Sequence, residues 1–414
     1  MEQLQLSQSE IEKIREDFPI LNRKINDKQL IYLDNAATTQ KPLSVIESMS
    51  EFLKKSNANI HRAIHILSYE ATLAYENAHK IVAKFIGAKS FREIVFVRNA
   101  TEALNLIAHS FGERFLTSSD EVVLTIMEHH SNIVPWLILR DKIGIKVKFI
   151  KTKEDGTLDY DEAEKLITKR TKLLGVIQAS NVLGTVNNIL RLRDLAKSVN
   201  AKFLVDGAQS LPHIPINVSD LGCDFFVASA HKMVGPTGIG FLYAKRELLE
   251  EMPPFLTGGD MIREVTVDGA TWNELPFKFE AGTPAFTEAV GFAEAIKYLQ
   301  NIKIERILNY EKTLEKYILE KLKTMSFIEF YGHQKGEHLA LFSFNIKGVH
   351  PHDAASFLNS FGIAVRSGNH CAQPLMNHLK IENALRASFY FYNTNNEAEK
   401  LFSTLEEANK FFNR

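Results

Sequence analysis

Lys232 stands in Val227-Ala228-Ser229-Ala230-His231-Lys232-Met233-Val234-Gly235-Pro236-Thr237-Gly238, between an apolar run (Cys223 to Ala228) and a Gly/Pro-rich turn. A second apolar run, Gly240 to Tyr243, follows the turn. Both runs read as buried strands. A lysine pinned between them is partly desolvated, which lowers its pKa and turns the amine into a usable nucleophile. The chemistry that fits such an amine is a Schiff base with a carbonyl compound. The bland alternative is a lysine that caps a loop, and the rest of the chain has to decide between them.

Several segments supply further parts. Asp206 closes the apolar run Phe203-Leu204-Val205, where ligands of open α/β sheets bind. A carboxylate there can pair with a protonated ring nitrogen, or it can cap a turn. Asn99-Ala100-Thr101-Glu102 lies between a strand and a helix, a position whose free N–H groups and hydroxyl suit a phosphate. His129, in Met127-Glu128-His129-His130-Ser131-Asn132, follows another strand end and can stack on an aromatic ring or exchange protons. Asn181 comes after the next strand and can bond a ring hydroxyl. A Schiff-base amine, a carboxylate, a phosphate seat and a stacking imidazole together describe a site for pyridoxal 5'-phosphate (PLP).

Two more residues lie far downstream. Cys371 sits in Arg366-Ser367-Gly368-Asn369-His370-Cys371-Ala372. A cysteine in a Gly-containing loop beside a histidine and near an arginine is a candidate reactive thiolate, since free cysteine titrates at about 8.5. The other cysteine, Cys223, is flanked by Asp224-Phe225-Phe226 and reads as core. No CxxC or HxxxH spacing accompanies His370-Cys371, so no metal site is expected. Arg386, inside the apolar Ala384-Leu385-Arg386-Ala387-Ser388, needs an anionic partner: a substrate carboxylate held bidentately, or a structural ion pair.

The elements that position these residues alternate. Strands are expected at 93–97, 121–125, 145–150, 172–177 and 202–205, with helices at 101–110, 133–140 and 190–199 between some of them. That rhythm implies a mainly parallel sheet with helices on both faces. It breaks near Pro253-Pro254. A Gly-rich, aromatic stretch follows, with a hairpin around Val267-Asp268-Gly269, then helices from 285 to 323 and a mixed α+β region to the end. Near the start, Ser7 and Glu10 open a short helix, Pro42 starts another, and a long one runs from about 68 to 85. The 414 residues imply two or three domains. A net charge of −1 is no argument for a nucleic-acid or membrane partner, no apolar run is long enough to span a bilayer, and the first residues do not form a secretory signal. Two cysteines in this length fit a reducing cytoplasm.

Taken together, seven segments resemble one family. They are Tyr32-Leu33-Asp34-Asn35-Ala36-Ala37, His61-Arg62-Ala63-Ile64-His65, Met127 to Trp136, Val205-Asp206-Gly207-Ala208-Gln209, His231-Lys232-Met233-Val234-Gly235-Pro236-Thr237-Gly238, Phe279-Glu280-Ala281-Gly282-Thr283-Pro284 and Arg366 to Cys371. The chain resembles the cysteine desulfurases among the class V, fold-type I PLP enzymes. Within these the likeness is to the type II, Suf-like group that includes selenocysteine lyase-like proteins, and it runs from about Asp17 to the C-terminus.

The resemblance implies an α/β, fold-type I architecture. Residues 25–295 would form a large PLP-binding domain around a mainly parallel seven-stranded sheet, with a hairpin lobe at 258–277 over a partner's active-site entrance. Residues 1–24 and 296–414 would form a smaller α+β domain carrying the reactive cysteine. By the same resemblance Lys232 is the Schiff-base lysine, and His129 stacks on the ring and moves protons. Asp206 and Gln209 hold the ring nitrogen and oxygen. Ala100, Thr101, Ser229 and His231 serve the phosphate, with Thr283 reaching it from the other subunit of a homodimer. Asn181 and Arg386 hold the substrate carboxylate, His61 and Arg62 belong to the substrate site, and Cys371 accepts the sulfur. The implied reaction converts L-cysteine to L-alanine, with L-selenocysteine as a second substrate. The sulfur is left as a persulfide on Cys371 for a Suf-type acceptor protein in iron–sulfur cluster assembly. One departure is visible: Asn369 replaces a usual histidine, so activation of the thiol falls on His370 and Arg366, and turnover without a partner is expected to be low.

Overall fold

Seven short apolar runs become the strands β1 (Ile94–Val97), β2 (Glu121–Thr125), β3 (Lys146–Ile150), β4 (Thr171–Ile177), β5 (Lys202–Asp206), β6 (Phe225–Ser229) and β7 (Gly240–Ala244). The structure, a computed structural model, describes residues 5–61, 64–332 and 336–413. The seven strands form one sheet in the order β1-β7-β6-β5-β4-β2-β3. β7 runs antiparallel to both of its neighbours, and every other pair is parallel. Successive side chains alternate between two cores. Phe203, Val205, Phe226 and Phe241 pack on one face, and Leu204, Phe225, Val227 and Leu242 on the other. A sheet buried on both faces has to read as near-continuous apolar runs, as these do.

This topology brings the carboxyl ends of β1, β2, β4, β5 and β6 to one edge of the sheet. The loops leaving that edge begin at Arg98, Ile126, Gln178, Gly207 and Ala230. All the candidate residues up to Lys232 except His61 and Arg62 lie on those loops, at the strand ends Asp206 and Ser229, or in the first turn of the helix Ala100–Leu106.

A second, antiparallel sheet takes β8 (Ile328–Tyr331), β9 (Leu341–Ile346), β10 (Arg366–Gly368) and β11 (Ala384–Ser388) in the order β8-β9-β11-β10. Its own core holds Leu314, Phe342, Phe344, Leu385, Leu401 and Phe402. The N-terminal segment ties the two sheets together. Ile31–Tyr32 pairs in parallel with Ile363–Ala364, and Asp34 bridges to Ser388 at the end of β11. Five residues on, the Thr39 N–H donates to the His231 carbonyl at 3.0 Å.

Most elements fall where the sequence puts them. Ser7 and Glu10 form the capping box of the helix Gln8–Glu16, and the hairpin Ile262–Thr266/Gly269–Trp272 turns at Val267-Asp268. One helix differs. The expected 101–110 run is α-helical over Ala100–Leu106 and then widens to a π-helical turn, Ile107–Gly112. Gly112 packs there so tightly on the helix Val134–Ile143 that an added Cβ would lie 2.5 Å from Leu139 Cδ2. The helix Tyr160–Leu166, capped by Asp159, was not anticipated. Among the described residues no helix is long and apolar enough to cross a membrane.

Candidate active site

The loops at the carboxyl edge of the large sheet and the loop after β10 enclose one cavity of about 340 Å³. Lys232, His129, Asp206, Cys371 and Arg386 all line it, as do Ala100, Thr101, Asn181, Gln209, Ser229 and His231. Sequence positions more than 270 residues apart (Ala100 and Cys371) thus share one wall.

Lys232 ends a short 3-10 turn, Ala230–Lys232, directly after β6. The turn is fixed from outside. The His231 carbonyl accepts from the Thr39 N–H, from Thr38 Oγ1 at 3.1 Å and from Lys41 Nζ at 2.9 Å. Burial pushes the Lys232 amine down to about 8, with Arg386 adding to the effect and Asp206 opposing it. A substantial fraction of the amine is therefore neutral near physiological pH, as a nucleophile requires.

Asp206 is buried, and one of its oxygens accepts the Ala208 N–H at 2.9 Å. Burial raises its pKa, so a cation placed beside it would be strongly favoured. Gln209 donates Nε2 to the Ala36 carbonyl at 2.7 Å, which fixes the amide. Ser229 Oγ accepts the Ala100 N–H at 2.8 Å and so joins the end of β6 to the start of the helix Ala100–Leu106. His129 Nδ1 accepts the Ser131 N–H at 3.2 Å, which leaves the proton on Nε2. Burial, then the Lys232 charge, pushes this imidazole down to about 3, so it is neutral. Beneath it, the buried Glu128 accepts the Ile177 N–H at 2.7 Å and Asn132 Nδ2 at 2.8 Å, holding the His129 loop against the end of β4. Burial raises Glu128 to about 8.

The other wall is cationic. Arg366 and Arg386 lie directly opposite each other on β10 and β11. Like charges in that position repel. Asp34 stands between them: it binds Arg366 at 2.8 and 3.1 Å and reaches Arg386 Nη2 at 3.4 Å. One carboxylate against two guanidiniums leaves a net positive charge at the cavity. Arg386 Nη1 donates to the Asn181 carbonyl at 2.9 Å, and its buried Nε has no partner. Asn181 Oδ1 and His370 Nδ1 are likewise buried without partners. Arg386 Nε is a free donor beside surplus positive charge, while Asn181 Oδ1 and, with the His370 proton on Nε2, His370 Nδ1 are free acceptors; the cavity thus fits a ligand that carries both an anionic group and hydrogen-bond donors of its own.

The loop that carries Cys371 departs from expectation in one respect. His370 does not supply positive charge. It is buried, its Nε2 donates to the Ala384 carbonyl at 3.0 Å, and burial, with Arg386 assisting, pushes it down to about 3. The charge near the thiol comes from Arg366 and Arg386. Asn369 has its own task, accepting the Cys371 N–H through Oδ1 at 3.1 Å. Cys371 is exposed to the cavity mouth, whereas Cys223 is buried.

Two residues are not brought to the cavity within a single chain. His61 stacks edge-on against Phe277, with ring centroids 4.7 Å apart, and Thr283 lines a different pocket with Arg98 and Glu102. Arg62 lies outside the described residues. Asp34, Glu128 and His130 are contributors that residue-by-residue reading passed over. Among the described residues no group of three or more His, Cys, Asp or Glu side chains is placed to hold a metal ion.

A model of the family described as "Aminotransferase class-V" matches residues 31–401. The chain belongs to that family. It is 45% identical over 416 residues to the cysteine desulfurase of Haloferax volcanii, covering 97% of this chain and 98% of the relative. The apo structure of the cysteine desulfurase from Thermococcus onnurineus NA1 superposes with a TM-score of 0.92 at 43% identity, covering 96% and 98% of the two chains. The Escherichia coli cysteine desulfurase CsdA, in an S-sulfonic acid form, gives 0.89 at 35% identity, covering 97% and 99%. Class-V aminotransferases depend on PLP, and so does this chain. The cavity fits the cofactor: a desolvated lysine of lowered pKa, a buried carboxylate for a ring nitrogen and a neutral imidazole for the ring face meet there.

Proposed function

We propose that this protein is a PLP-dependent cysteine desulfurase that converts L-cysteine to L-alanine and holds the sulfur as a persulfide on Cys371. The observation that carries the reading is that Lys232 and Cys371, from different sheets, line one cavity beside the half-satisfied Arg386. When bound, PLP supplies an electron sink conjugated to the substrate's α-carbon.

The chain's own residues do the rest. Lys232 would hold the cofactor, and its amine is the group placed to move the substrate's α-proton. Asp206 would hold a proton at the ring nitrogen, His129 would stack on the ring, and Gln209 and Asn181 would orient its oxygen. Ala100, Thr101, Ser229 and His231 would seat the phosphate. Arg386 Nε and the Asn181 amide fix the substrate carboxylate, which aims the substrate thiol at Cys371. Cys371 Sγ then forms an S–S bond to the substrate sulfur while the Cβ–S bond breaks. The carbon takes a proton and leaves as the methyl group of alanine, and the enzyme keeps Cys–S–SH.

The same reading makes 25–295 the cofactor domain, and 1–24 with 296–414 the cysteine-bearing one. It makes the active form a homodimer. His61 and Thr283 lie away from the cavity of their own chain, and the helices Leu43–Lys55 and Ile66–Phe85 expose Leu43, Ile46, Leu53, Leu67 and Leu73 for a second copy to cover. We assign a Suf-type acceptor protein in the cytoplasm as the destination of the sulfur, and L-selenocysteine as a second substrate. Mass spectrometry of the Cys371 peptide after incubation with L-cysteine tests the central step. One added sulfur atom is expected, and alanine release without it would refute the reading.

A further inference from the structure

Cys371 is held in an unfavourable backbone conformation by groups that belong to the other sheet. His370 and Cys371 have φ of +52° and +57°, the left-handed region that non-glycine residues seldom occupy. Two such residues in a row do not persist unless their surroundings impose the shape. Inside the turn the Ala372 N–H donates to the Asn369 carbonyl at 3.0 Å, and four further hydrogen bonds to the loop's backbone bracket the pair. Asn369 Oδ1 takes the Cys371 N–H at 3.1 Å, within the loop itself. The other three come from the large sheet. Asn181 Nδ2 donates to the His370 carbonyl at 2.7 Å. The His130 N–H donates to the Cys371 carbonyl at 2.8 Å, and His130 Nε2 accepts the Gln373 N–H at 2.9 Å.

His130 thus grips the chain on both sides of Ala372, and it is the immediate neighbour of His129, which faces the cavity. Asn181 is already engaged by Arg386 and by the cavity. His130 has no other assigned task. Its ring must present an unprotonated Nε2 to the Gln373 N–H, and burial lowers its pKa in keeping with that.

We infer that His130 is a positioning residue: its ring nitrogen docks the Cys371 loop onto the His129 segment and so sets the sulfur-accepting thiol relative to Lys232. This rests on the desulfurase reading for its consequence in turnover, but not for its consequence at the thiol. The geometry gives the role a chemical signature, because the requirement is a hydrogen-bond acceptor at one place. Glutamine can put Oε1 near the position of Nε2, and alanine cannot.

The test uses full-length, PLP-loaded wild type, His130→Ala and His130→Gln. Three quantities are read: the rate at which iodoacetamide alkylates Cys371 without substrate, alanine release from L-cysteine, and the visible cofactor band with its response to L-alanine. H130A is expected to keep the band and its response, to alkylate at least about threefold faster, and to release alanine about tenfold more slowly. H130Q is expected to stay within about twofold of wild type throughout. Equal alkylation in H130A and wild type would overturn the inference. So would an H130Q as impaired as H130A, or an H130A that has lost the cofactor band. Should wild type itself release no alanine from L-cysteine, the desulfurase reading falls, while the alkylation rates still decide the role of His130.

Discussion

Lys232 leaves β6 with a paired strand on each side, and the carbonyl before it is gripped by Thr38, Thr39 and Lys41. Cys371 leaves β10, an edge strand of three residues, through a turn of two left-handed residues. The lysine's place follows from sheet topology. The cysteine's place follows from a handful of side-chain contacts to another part of the molecule. Chemistry that needs a fixed electron sink uses the first kind of support, and a thiol that must receive sulfur and then hand it on uses the second. Shape at the cysteine is accordingly the more easily disturbed of the two.

The comparison breaks if either centre can work alone. Lys232→Ala should abolish the visible cofactor band and lower alanine release by more than about 10⁴-fold, as loss of a nucleophile does elsewhere. Cys371→Ser should keep the band and its response to L-alanine, yet lose alanine release from L-cysteine by more than about 10³-fold. A Cys371→Ser protein that still desulfurates would make the lysine side sufficient. Arg386→Ala should raise KM for L-cysteine about 10²-fold, equivalent to ~3 kcal/mol for a charge-assisted contact, and Arg386→Lys should recover little because a lysine lacks the fork.

The remaining two sharpen it. Below about 8 the Lys232 amine is mostly protonated and not nucleophilic, so the rate of PLP uptake by cofactor-free protein should rise up to tenfold per pH unit toward that value and level off above it. A flat profile, read by stopped-flow absorbance, would contradict the desolvated amine. Asn369→Ala should loosen only the turn, by ~1 kcal/mol as for a lost side-chain cap, and speed Cys371 alkylation by a few-fold. Asn369→Asp, which keeps the acceptor, should not.

The large sheet was legible because a strand buried on both faces leaves an unbroken apolar run, and the site residues follow because strand ends of one direction share an edge. Lys232, Asp206, His129 and Cys371 could therefore be picked from local sequence. Other features depend on distances that local sequence does not carry. Asp34 reads as a turn aspartate until Arg366 and Arg386 are seen on opposed positions of β10 and β11. His370 looks like a source of charge beside a thiol until its burial and its bond to Ala384 make it neutral. The π-helical turn after Leu106 answers to the packing of Gly112 on Leu139, which no periodicity in the helix reveals.

The left-handed pair at His370 and Cys371 has a consequence for anyone who would move this chemistry elsewhere. Between Arg366 and Gln373 the turn has only Gly368, the Asn369 side-chain contact and one backbone bond, from the Ala372 N–H to the Asn369 carbonyl, to hold it. The instructions sit at His130 and Asn181. A synthetic peptide of that stretch, or a graft of it onto an unrelated scaffold, would carry the thiol without its aim.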